Sequence, residues 1–114
     1  MNSAAHSADP RSASDGADIL SVLQALSDPV RLEIVRQLAG GESPGELTCG
    51  QLQLPVTKST CSHHLKVLSG AGVIAEREAG TRKFITLRRA DLDRRFPGLL
   101  DSVLHGAAAV ASRG

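Results

Sequence analysis

The chain has 114 residues, 41% hydrophobic and 22% charged, with a formal net charge of +1, ordinary values for one folded domain of a soluble protein. Two cysteines are too few for a disulfide framework, and no apolar run approaches the roughly 18 residues of a membrane span. The opening MNSAAHSADPRSASDGAD lacks the apolar core of a secretory signal, so the expectation is a cytoplasmic, reducing setting with no membrane.

Residues 1–16 are rich in Ser, Ala and Asp and have little to bury, which predicts a disordered tail ahead of one domain over 17–112. Ile19, Val22, Leu23 and Leu26 recur at helical spacing and predict a first helix. Asp28 then offers a cap and Pro29 suits a first helical position, so a second helix runs through VRLEIVRQLA with Ile34, Val35 and Leu38 inward, ending at Gly40-Gly41. ESPGE reads as a loop, Glu46–Leu52 as a short helix and QLPV as a tight turn. Lys58–Leu68 is a further helix, closed by SGAG. The β-prone runs VIAERE and TRKFITL, separated by Ala79-Gly80, predict a hairpin. After RADLDRRF, Pro97 opens a last helix carrying Leu99, Leu100, Val103, Leu104, Ala107 and Ala108. The predicted fold is mainly α with a small β-hairpin, the make-up of a winged helix-turn-helix with outer helices left over. With no Trp or Tyr the core falls to Leu, Ile, Val and Ala, and so small a domain is commonly reinforced by oligomerisation.

At about 100° per residue, Lys58, Ser59, Ser62, His63 and Lys66 share one side of their helix, while Cys61, His64, Leu65 and Leu68 share the other. The polar side holds hydroxyls, cations and an imidazole. A merely solvated face usually mixes Glu with Lys, yet no acid occurs between Thr57 and Val73. Such a face suits phosphate oxygens and base edges in a major groove. His63 and His64 point about 100° apart and share no ion easily; His64 with Cys61 makes an incomplete ligand pair, since structural zinc takes four. His64 is expected half-buried against a backbone carbonyl or side chain, and Cys61 in the core.

Charge is segregated along the chain. Met1–Val56 holds three Arg against seven acids, net −4, and Thr57–Arg95 nine Lys or Arg against four acids, net +5. That asymmetry fits a half that faces a polyanion. In the hairpin, Arg77, Arg82 and Lys83 surround the turn, suiting a minor groove or flanking phosphates, or else guarding a sheet edge.

LSDPVRLEIVRQLAGGE, VTKSTCSHHLKVLSGAGVI and REAGTRKFITL together resemble the arsenic-repressor (ArsR) family of winged helix-turn-helix transcriptional repressors, over roughly Ile19–Leu87. The family's Ser-x-Ser-x-apolar-Ser-x-His-Leu pattern is met by Thr57, Ser59, Cys61, Ser62, His64 and Leu65, with Thr in the first place. The resemblance implies a homodimer held by the first and last helices on an imperfect inverted repeat of double-stranded DNA. It implies that Lys58, Ser59, Ser62 and His63 face bases and sugar-phosphate, with the wing near Arg77–Lys83. The expected DNA-binding set is therefore Thr57, Lys58, Ser59, Ser62, His63, Lys66, Arg77, Arg82 and Lys83. Metal-sensing members often carry Cys-x-Cys before the reading helix; ELTCGQL has Cys49 alone. Along the last helix only Asp101 and His105 stand at ligand spacing, so no metal or cofactor is expected. An oxidant joins Cys49 to Cys61 if their Cα atoms come within about 7 Å. The competing reading is a winged-helix module for protein–protein assembly through the apolar last helix. An enzyme is least supported, since no nucleophile–base set or phosphate loop is present.

Overall fold

The computed structural model describes residues 18–40 and 46–113; the predicted tail at 1–16 lies outside the described residues, as does most of the ESPGE loop. Helix α1 (Ile19–Ala25) starts at Asp18, whose carboxylate accepts the Ser21 N–H at 3.0 Å and the Ser21 hydroxyl at 2.9 Å. Helix α2 (Pro29–Gly40) follows α1 after a break of three residues. Asp28 Oδ2 accepts the N–H groups of Val30 at 2.9 Å and Arg31 at 3.1 Å, and Pro29 sits where a missing N–H costs nothing.

Strand β1 (Glu46–Thr48) follows, then a single 3-10 turn at Cys49–Gln51, helix α3 (Lys58–Gly70), strands β2 (Ile74–Ala79) and β3 (Arg82–Leu87), and helices α4 (Arg89–Arg95) and α5 (Leu99–Arg113). The sheet is antiparallel in the order β1-β3-β2, with Leu47 opposite Ile85 and Glu76 opposite Ile85 on the other side. Gly80 opens the two-residue hairpin turn at φ +66°, a backbone state that disfavours side chains. Among the described residues no helix is long and apolar enough to cross a membrane.

One core joins every helix to the sheet: Val22, Ile34, Leu65, Leu68, Ile74 and Ile85 sit within it, with Leu92 and Leu100 closing the far end. Helix α3 enters that core along its Cys61, Leu65 and Leu68 face. Its end is sharp because Gly72 adopts φ +81°, letting Gly72 N–H reach the Ser69 carbonyl at 3.1 Å and Val73 N–H reach the Leu68 carbonyl at 3.0 Å. That double closure turns the chain straight into β2 and packs Val73 in the core next to Ile74.

Two expectations need correction. Glu46–Leu52 is not a short helix: Leu47 and Thr48 pair with Ile85 and Phe84, and only Cys49–Gln51 turns. The open edge of β3 supplies hydrogen bonds that a sequence of Thr, Cys and Gly has little propensity to make helically. The wing is accordingly three-stranded rather than a bare hairpin. In addition, α4 occupies a stretch to which the pattern assigns no element, and α5 begins at Leu99, after Gly98 rather than at Pro97.

Burial pushes the Asp28 carboxyl up, but the Arg31 and Val30 N–H groups and the nearby Arg31 charge outweigh it and hold the carboxyl below its ordinary value. A carboxylate lowered on folding stabilises the fold above its unfolded pKa, and that contribution is lost as pH falls through the folded value. Asp28→Ala is therefore expected to lower unfolding free energy by about 1 kcal/mol at neutral pH in urea titrations, with the gap to the parent shrinking as pH drops below the carboxylate range.

Candidate nucleic-acid interface

The α3 surface is built from its first residue outward. Thr57 is the N-cap: its hydroxyl oxygen accepts the Thr60 N–H at 3.2 Å and its own proton goes to the Thr60 hydroxyl at 3.0 Å. No acid occupies the first turn, so the positive end of the helix dipole is not offset by a side chain. Lys58, Ser59, Ser62, His63 and Lys66 are exposed along one side, and Cys61, Leu65 and Leu68 are buried on the other. The helix thus presents donors outward because its apolar residues occupy the core.

His64 sets the rotation of that helix. Its ring is half-buried, with Nδ1 3.2 Å from the Arg31 guanidinium and 3.9 Å from Asp28 Oδ2. Arginine only donates, so Nδ1 accepts and the ring proton stands on Nε2. Arg31 Nε also donates to the Ala25 carbonyl at 2.6 Å. One guanidinium therefore ties the end of α1, the start of α2 and the middle of α3. Nothing in the sequence pattern marks Arg31 for this part, because its partner lies 33 residues away. A second tie, equally unsignalled, is the amide pair Gln37 and Gln53: Gln37 donates to the Gln53 carbonyl at 2.8 Å and accepts the Gln53 N–H at 2.9 Å, fixing the approach to α3.

The wing residues divide by partner. Arg77 makes two 2.9 Å hydrogen bonds to Glu46 and lies over the Phe84 ring at 4.7 Å. That contact holds the Glu46 carboxyl below its ordinary value and raises the Arg77 guanidinium. Lys83 pairs with Glu76 at 3.5 Å. Arg82 stands next to the turn, exposed. Among the described residues Lys58, Lys66 and Arg82 have no ion-pair partner, whereas Arg88, Arg94 and Arg95 gather on Asp91 and Arg89 bridges Asp93 and Asp101. Much of the basic charge counted along the sequence is thus compensated inside the fold, and what is left lies on α3 and the wing tip. Among the described residues no group of three or more His, Cys, Asp or Glu side chains is placed to hold a metal ion.

Comparison with known proteins gives this surface its context. Residues 26–77 match a family model described as a helix-turn-helix domain. The chain is 36% identical over 84 residues to the HTH-type transcriptional regulator YceK of Bacillus subtilis, covering 72% of this chain and 82% of that one. It is 30% identical over 88 residues to the transcriptional repressor SdpR of the same organism, covering 75% and 93%. In three dimensions it matches an ArsR-like transcriptional regulator from Rhodococcus sp. RHA1 with a TM-score of 0.56 and 26% identity, over 82% of each chain. The chain belongs to the ArsR family of winged helix-turn-helix transcriptional regulators. It is a DNA-binding transcriptional regulator.

For an ArsR-family regulator, the division between paired and unpaired cations has a measurable consequence. Each cation that neutralises a phosphate releases condensed counterions and steepens the dependence of affinity on salt. Lys66→Ala and Arg82→Ala are each expected to reduce the slope of log affinity against log salt by about one unit. Arg77→Ala is expected to change it less, because Glu46 already balances that charge. Fluorescence anisotropy across a salt series measures all three.

Proposed function

We propose that the protein is a homodimeric repressor that occupies an inverted-repeat operator in its target promoter. The observation that carries this reading is the exposed side of α3, which holds three hydroxyl or imidazole side chains and two lysines with no acid among them. In this reading Lys58, Ser59, Ser62 and His63 meet base edges and sugar-phosphate in the major groove. Thr57 and Lys66 touch backbone phosphates, and Arg77, Arg82 and Lys83 of the wing lie over the adjacent strand. Arg77 and Lys83 would exchange surface carboxylates for phosphates, a modest cost for exposed ion pairs. The likeness to SdpR, which is named a transcriptional repressor, supports the sign of regulation.

Exposed apolar side chains support the dimer. Leu20 is 74% exposed, Leu23 45% and Ile19 40% on α1, and Val110 is 42% exposed on α5. Side chains of this size left exposed on the first and last helices suit a second copy of the chain. A two-fold pair of α3 helices would then enter successive major grooves about 34 Å apart. The regulator works where promoter DNA lies, in the cytoplasm, and with neither cofactor nor metal.

Titration against the DNA upstream of its own gene is expected to show preference for one palindromic segment over scrambled duplex. Ser62→Ala and His63→Ala are each expected to cost about 1–3 kcal/mol on that segment while leaving scrambled duplex nearly unchanged. Equal affinity for every duplex would overturn the specific-repressor reading. In sedimentation the parent is expected as a dimer and a Leu20→Glu, Leu23→Glu double variant as a folded monomer; a dimeric variant would place the interface elsewhere.

A further inference from the structure

The 3-10 turn and α3 bring together two free thiols, Cys49 and Cys61, with their sulfurs 3.2 Å apart. We propose that these cysteines form a peroxide-responsive pair, which a hydroperoxide joins into a reversible disulfide that disturbs the DNA-reading side of α3. The regulatory half of this rests on the DNA-binding reading above; the crosslink itself does not.

Proximity comes first. A disulfide needs about 2.0 Å between sulfurs, so closure requires a relative shift of about 1 Å. The pair also spans few residues, so the chain already holds the sulfurs in each other's reach.

Access is asymmetric. Cys61 is only 4% exposed, on the core side of α3. Cys49 is half-buried and lines a cleft of about 560 Å³ bounded by Gly50, Lys58, Arg82 and Phe84. A small oxidant entering the cleft meets Cys49 first. Burial, together with the hydrogen bond and charge of Cys49, pushes the Cys61 thiol up to about 12, so Cys61 keeps its proton at neutral pH. This fits Cys49 as the sulfur that attacks and Cys61 as the one that resolves.

The chemistry balances with a hydroperoxide as oxidant. Cys49 sulfur attacks the terminal peroxide oxygen, the O–O bond breaks, and the leaving alkoxide takes the thiol proton and departs as an alcohol, or as water from hydrogen peroxide. Cys49 is then a sulfenic acid, oxidised by two electrons. Cys61 sulfur attacks the Cys49 sulfur, the S–O bond breaks, and hydroxide leaves as water with the Cys61 proton. Two thiols and one hydroperoxide become one disulfide, one alcohol and one water.

The consequence for DNA follows from position. Cys61 immediately precedes Ser62 in α3, and the cleft that admits the oxidant is walled by Lys58 and Arg82, two of the unpaired cations. Drawing α3 toward the turn shifts the reading side chains and narrows that cleft. A duplex lying across Lys58 and Arg82 would in turn roof the cleft and slow oxidation, and linkage requires that bound DNA disfavour the disulfide at equilibrium by the same factor by which the disulfide weakens binding.

The test treats the reduced, purified full-length chain with one equivalent of hydrogen peroxide. Non-reducing peptide mass mapping is expected to find Cys49 joined to Cys61, with two hydrogens lost and both free thiols gone. Operator affinity is expected to fall about tenfold and to return with dithiothreitol. Cys49→Ser, and separately Cys61→Ala with its fold checked by circular dichroism, should keep full affinity after peroxide. Thiols that persist, over-oxidise to sulfinic acid or pair only between subunits would overturn the proposal, as would a disulfide that leaves affinity unchanged. If the reduced protein shows no operator preference, the DNA reading is what fails, and the mass map alone still upholds or overturns the crosslink.

Discussion

The side that α3 offers to DNA in the proposed complex depends on how the helix is rotated about its own axis, and that rotation is set from behind. Cys61, Leu65 and Leu68 bury one side of the helix, while His64 is held between Arg31 and Asp28. A helix in which residues advance by about 100° has no freedom to turn one face without turning the other. Fixing the buried side therefore aims Ser59, Ser62 and His63 outward. Arg31 matters most in this set, because it also grips the Ala25 carbonyl and so makes α1, α2 and α3 a single unit. Were its guanidinium removed, a half-buried imidazole and a helix-end carbonyl would both lose a charged donor, a loss of the kind that costs roughly 1–3 kcal/mol.

The electrostatic character of the surface emerges from subtraction. Counted along the sequence, nine Lys or Arg face four acids between Thr57 and Arg95. In the fold, Asp91, Asp93, Asp101, Glu46 and Glu76 take most of those cations into local pairs. Of the pairs on α4, Arg89–Asp101 joins that helix to α5 and the others stay within α4 and its cap, so they serve the scaffold. The unpaired remainder, Lys58, Lys66 and Arg82, is small in number but lies on α3 and at the wing tip. Placement, more than total charge, is what distinguishes a DNA-facing side from an ordinary basic surface.

How much of this was legible beforehand depends on how far along the chain each determinant reaches. The two faces of α3, the Asp28 cap with Pro29 behind it and the hairpin are local patterns, written within a few residues of where they act, and each is found in the structure where it was expected. Strand β1 was misread as helix because its identity comes from β3, about 38 residues away, and three residues carry too little periodicity to announce a strand. The Arg31–His64 and Arg77–Glu46 contacts were hidden for the same reason: each joins residues more than 30 positions apart, and a lone arginine looks alike whether it meets solvent, a phosphate or a carboxylate. The charge segregation was read correctly as a pattern, but its compensation inside the fold could not be seen without partners.

The architecture also makes α3 a sensitive place for the regulation proposed above. It is at once the proposed reading surface and a wall of the core, and interiors packed to crystal-like density transmit small displacements instead of absorbing them. Hydrogen bonds to base edges lose strength steeply as donor and acceptor move out of line or beyond about 3.2 Å. A change of about 1 Å on the buried side, at Cys61, is therefore of the same size as the tolerance on the exposed side, one residue further on at Ser62. A separate sensor domain would need a path to carry its signal to the reading helix. In the proposed switch the distance between the thiols and the exposed side chains of α3 is the width of one helix, so a rearrangement too small to unfold the domain would be large enough to matter for recognition.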